Sequence, residues 1–202
     1  MLQRHRVACY LAIALAGSLA SVTPAAAHVG TGLPGGIVSG FEHPFVGLDH
    51  LLAMMAVGLW GAFLGRPLIY ALPVTFPLLM VVGAALGMFG LHAPSVEMGV
   101  AVSVVILGLC IAFAFRASVW AAYTIVALFA LFHGYSHGVE LPSAADPVGY
   151  SAGFVLATGL LHLSGIGVGL LNGLRHGVWA TRGLGAIVAL SGCWFVYRAL
   201  GQ

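Results

Sequence analysis

Charge is what this chain lacks most. Of its 202 residues only 6% are charged, as five acids and seven arginines with no lysine, while 61% are hydrophobic. An average soluble domain carries about 25% charged residues, so such a chain cannot cover a globule with solvated side chains. That excludes an ordinary cytosolic enzyme and a disordered tail. It also excludes a nucleic-acid binder, which needs a basic face for phosphates. Cysteine is scarce too: Cys9, Cys110 and Cys193 lie in apolar stretches without CxxC spacing, supporting neither a disulfide framework nor a thiolate zinc site. No GxxxxGK[ST] segment is present, so direct ATP drive within this chain is unsupported. The composition is that of a membrane protein whose first partner is the lipid bilayer.

Residues 1–27 read as a signal peptide. Arg4, His5 and Arg6 form a positive n-region, Val7 to Ala20 an apolar h-region, and Ala25-Ala26-Ala27 a small-residue cleavage site. The alternative is an uncleaved first transmembrane helix. Cleavage after Ala27 would start the mature chain at His28, outside the cytoplasm. Residues 28–202 then form one all-α domain, an integral membrane bundle of six transmembrane helices. The spans fall at about 45–64, 68–90, 97–116, 119–139, 148–171 and 179–199, each near the 20 residues that cross a bilayer. Arg66, Arg116, Arg175 and Arg182 lie in the first, third and fifth connections, which face the cytoplasm if residue 28 is outside. Glu97, Glu140 and Asp146 mark the outward connections, and Arg198 alone falls on the wrong side.

Glycines four apart, such as Gly83/Gly87, Gly149/Gly153 and Gly165/Gly169/Gly173, read as close helix packing. Pro73 and Pro77 should kink the second span, since each removes a backbone donor.

The informative residues are ionisable groups that hydrocarbon should exclude. They form two clusters. The first is His43-Pro44-Phe45-Val46-Gly47-Leu48-Asp49-His50, at the outer mouth of the first span; the second is His133-Gly134-Tyr135-Ser136-His137-Gly138-Val139-Glu140, at the outer end of the fourth. His133 and His137 are four apart and share a helix face, with Glu140 three further along the same stripe. His43 and His50 are seven apart and would align on an unbroken helix, although Pro44 and Gly47 weaken that inference. Asp49 points about 100° from His50 on such a helix and reads as a partner that orients an imidazole. Imidazole and carboxylate donors suit nickel, cobalt, zinc or copper better than calcium. A lone membrane histidine is more often a hydrogen-bonded packing group; two clusters at one membrane face are harder to dismiss. His162 should lie about 14 residues, or about 21 Å, below the outer edge, where a pathway role competes with packing. His28 could bind metal through its amine and imidazole, but only after cleavage.

The pairing of HPFVGLDHLLAM (43–54) with FHGYSHGVE (132–140), behind an alanine-rich leader that ends before a histidine, resembles the HupE/UreJ family. Its members are regarded as hydrogenase and urease accessory proteins and as nickel or cobalt permeases. The resemblance spans the mature chain, and His43, Asp49, His50, His133, His137 and Glu140 match the family's metal-binding positions. It implies a multi-pass protein of the bacterial inner membrane, not an enzyme, that captures Ni2+ at the periplasmic face to supply hydrogenase or urease maturation. The choice of nickel rests on the resemblance; ligand chemistry leaves Co2+, Zn2+ and Cu2+ open. The six spans would allow an inverted repeat, yet both motifs face outward, so one composite outer site is expected. Assembly as a homo-oligomer stays open. Two other readings also stand: a metal-binding membrane chaperone or sensor without transport, and an intramembrane metalloenzyme with Glu140 or Asp49 as general base.

Overall fold

In hydrocarbon a backbone amide has no water to bond, so an apolar chain must satisfy its own N–H and C=O groups, most simply as helix. The computed structural model describes residues 36–91, 93, 95–140 and 146–201. Among these there are seven α-helices and no strand. They are α1 (Ile37–Val46), α2 (Leu48–Leu64), α3 (Leu68–Met88), α4 (Val96–Ala112), α5 (Val119–Glu140), α6 (Pro147–Gly169) and α7 (Gly177–Leu200). A short 3-10 turn, Leu170–Gly173, precedes α7. The proposed leader, residues 1–27, and His28 lie outside the described residues.

Each of the six anticipated spans contains one helix, α2 to α7. The count of crossings is smaller by length and composition: α3, α5, α6 and α7 are each long and apolar enough to span a membrane. The pair α1 and α2 passes the same test only when taken together. At 17 residues, α4 is apolar but shorter. The expectation of an unbroken first helix is corrected. Its axis turns by 87° between α1 and α2, where Gly47 adopts an extended backbone (φ −85°, ψ 106°). Therefore His43 and His50 do not align along one face.

Helix pairs approach closely where glycine removes the Cβ. A side chain at Gly134 or Gly138 of α5 would strike the α3 backbone at Met80 or Ala84, and one at Gly83 would strike Leu131. Gly58 on α2 likewise lies against the His162 carbonyl of α6, and Gly153 on α6 against Ile37 of α1. α2 and α6 run parallel, with Gly165 against Met55 and Gly169 against Leu59, and His50 at the start of α2 lies on His133 and His137 near the end of α5; the start of α2, the end of α5 and the start of α6 therefore share one end of the bundle. The opposite end gathers arginine: Arg182 Nε donates to the Ala112 carbonyl at the end of α4 (2.8 Å), and Arg116 stacks over Phe63 near the end of α2. Between the two ends lies an apolar core that includes Met54, Val57, Trp60, Leu72, Phe76 and Leu107.

Candidate metal site

Three helices bring four histidines into one line at the end of the bundle away from the arginines. The ring centroids of His43 (α1) and His137 (α5) are 4.9 Å apart, those of His137 and His50 (α2) 4.6 Å, and those of His50 and His133 (α5) 4.8 Å. The bend at Gly47 makes this possible, because it carries His43 across to face α5 while α2 places His50 between the two α5 imidazoles. His133 and His137 share the α5 face that their spacing of four requires. His50, His133 and His137 are buried, as is the Tyr150 side chain that packs edge-on to His43. Phe154 lies 4.3 Å from His137, centroid to centroid, and completes an aromatic wall on α6.

The hydrogen-bond network assigns two tautomers. Asp49 Oδ1 accepts from the His50 backbone N–H at 2.8 Å and lies 3.0 Å from His50 Nδ1. A carboxylate only accepts, so Nδ1 carries the proton and Nε2 keeps its lone pair. Gly47 leaves room for this pair: a Cβ there would come within 3.1 Å of Asp49 Oδ1 and 3.3 Å of His50 Nδ1. On the other side of the line, the Ser103 hydroxyl of α4 donates to the Val100 carbonyl (2.6 Å) and sits 2.9 Å from His133 Nε2. With its own proton committed, Ser103 must accept, so His133 is protonated at Nε2 and its lone pair is on Nδ1. His50 Nε2 and His133 Nδ1 are both buried without a hydrogen-bond partner. Such orphaned acceptors cost about 1–3 kcal/mol each and call for a ligand, ion or water.

His162 is closer to this line than depth along its own helix implies. Phe76 of α3 lies 5.5 Å from His133 and 5.4 Å from His162, ring to ring. One phenyl group therefore separates the fifth histidine from the other four. Glu140 is the last residue of α5, but its side chain lies outside the described residues, and so does His28. Among the described residues no three His, Cys, Asp or Glu side chains are placed to hold a metal ion together. The edge-to-face packing of the rings, 81° for His43–His137 and 82° for His50–His133, explains this, since each such pair turns one ring face toward its neighbour instead of a nitrogen.

The sequence reading did not single out Ser103 or Phe76 as part of this group. Ser103 left a trace, a hydroxyl inside the apolar run VAVSVVILG. Phe76 left none, because a phenylalanine in an apolar span is ordinary core.

The family model described as HupE / UreJ protein matches residues 14–195 of the chain. Protein HupE of Rhizobium leguminosarum bv. viciae is 42% identical to it over 170 residues, which cover 84% of this chain and 89% of that protein. No solved structure matches.

Proposed function

The chain belongs to the HupE/UreJ family, and from that premise we propose that it is a permease for a divalent transition metal, nickel first and cobalt next. The ion is cargo, captured at the histidine end of the bundle and passed toward the arginine end. The observation that carries this reading is the unbroken line His43–His137–His50–His133, with ring spacings of 4.6–4.9 Å. With metal–nitrogen bonds of about 2.0–2.1 Å, two imidazoles sharing an ion place their centroids about 4.5 Å apart at a right angle and about 5.2 Å apart at the tetrahedral angle. Small ring rotations would let adjacent histidines share an ion without moving the helices.

The donors also have distinct roles. His50 Nε2 and His133 Nδ1 offer lone pairs, because Asp49 and Ser103 hold the protons on the opposite nitrogens. Asp49 supplies negative charge next to the cation. Glu140 and, after leader cleavage, His28 add outer donors. An ion entering here exchanges its waters for imidazoles one at a time, so no step strips the whole hydration shell. The positive-inside bias favours the arginine end as cytoplasmic, which puts capture on the periplasmic side of the inner membrane, upstream of hydrogenase or urease maturation.

Radiolabelled nickel uptake into proteoliposomes that hold the purified chain tests the reading. Saturable entry, competed by cobalt and lost in His137→Ala, is the expected result. Tight nickel binding with no entry would replace the permease by a metal-holding membrane chaperone.

A further inference from the structure

Below the four-histidine line, α6 carries a second set of buried polar atoms. Both ring nitrogens of His162 and the hydroxyl of Thr158 are enclosed without a hydrogen-bond partner. They are four residues apart and so share one face of α6. The Thr158 hydroxyl is unusual here. In this chain Thr124, Ser151 and Ser164 each donate to the carbonyl four residues back, at 2.8–3.0 Å, which is how a helical hydroxyl ordinarily satisfies itself.

A cleft of about 70 Å³ between α3, α5 and α6 is lined by both His137 and Thr158, along with Pro77, Met80 and Phe154. It therefore runs from the upper line to Thr158, the near end of this lower group.

We propose that Thr158 and His162 form a second cation station, which takes the same divalent metal in partly hydrated form after it leaves the upper histidines. The station deepens the permease reading and rests on it. Its protein donors are one imidazole and one hydroxyl, both neutral, and the ion keeps water in its other positions. A dication so deep in hydrocarbon without a carboxylate is held weakly, which suits transit and not storage. Phe76, packed against both His133 and His162, separates the two stations.

Two measurements on the purified full-length chain decide the matter. Calorimetric titration with nickel chloride should show a tight event and a second that is at least about tenfold weaker. His162→Leu and Thr158→Val should each remove the weaker event and leave the tight one within about twofold; Thr158→Ser should keep both. In proteoliposomes His162→Leu should cut the maximal uptake rate by at least about tenfold, with the half-saturating concentration little changed. Thr158→Val keeps the side-chain volume, so it gives an answer even if His162→Leu fails to fold. A weaker event that survives in Thr158→Val, or one that is absent from the wild type, overturns the station. Wild-type protein that binds both ions yet takes up none would instead sink the permease and leave the station standing.

Discussion

Two glycine-packed helix pairs make an instructive contrast. α3 and α5 meet through Gly83, Gly134 and Gly138, and α4 and α7 meet through Gly108, Gly185 and Gly192, where an added Cβ would collide with Ala189, Ala112 and Val105. Their packing logic is the same: without a hydrophobic force between helices in lipid, close backbone approach supplies the adhesion. Their polar groups differ. On α7 the Thr181 hydroxyl donates to Asn172 Oδ1 at 2.5 Å, and Arg182 caps the end of α4. On α5 the buried His133 spends one nitrogen on Ser103 and leaves the other orphaned. What a cation can use is a buried lone pair left unmet, as on His133; the unpaired Nδ2 of Asn172 is a donor and cannot ligate.

The largest effect should come from emptying α5. His133→Ala or His137→Ala should weaken nickel binding by at least about 100-fold, while membrane insertion and helix content stay at wild-type values, since neither side chain drives insertion. Wild-type affinity in both variants would erase the distinction between the two pairs. Titrating the purified protein with nickel and recording circular dichroism of the same samples gives both readouts.

Protons offer a reversible form of the same disruption. Histidine must be neutral to ligate, and its ordinary pKa is about 6.5. Affinity for nickel should therefore fall as outside pH drops, by more than about tenfold per unit once several imidazoles take up protons. A binding constant that never falls by more than about tenfold per pH unit would mean that at most one imidazole ligates and that the rest of the line is structural.

A smaller effect separates the groups that touch metal from those that aim them. Asp49→Asn retains the shape but loses both the charge and the obligate acceptor for His50 Nδ1. Ser103→Ala frees His133 to take either tautomer. Losses of about 10–100-fold in nickel affinity for the first, and nearer the low end for the second, are expected from the weight such partners carry. Ser103→Cys should recover part of the loss, because a thiol is a weak acceptor. Equal and unchanged affinities in both alanine and asparagine variants would show that the tautomers do not matter.

The smallest effect is on the other pair. Thr181→Val should lower thermal stability by about 0.6–1.7 kcal/mol, the range for a hydrogen bond between membrane helices, and leave nickel binding untouched. A change in binding with no change in melting temperature would reverse the roles assigned to α5 and α7.

The primary structure by itself determined the class of the molecule and the cast of the site. A chain with no lysine and apolar runs of about 20 residues satisfies its backbone in lipid as helices, and helical periodicity alone puts His133 and His137 on one face. It also marked His43, Asp49 and His50 as costly residues that need a purpose. Which of them meet is a different question, because periodicity speaks only within one continuous helix. The 87° turn at Gly47 broke the alignment expected of His43 and His50 and set them on either side of His137, with His50 reaching on to His133. Ser103, thirty residues from His133, joins it because α4 and α5 pack together, and Phe76 stands between His133 and His162 because glycines let α3 and α6 sit against their partners. Those meetings depend on crossing angles and backbone approach distances, which no spacing along the chain encodes, so only the tertiary structure decided them.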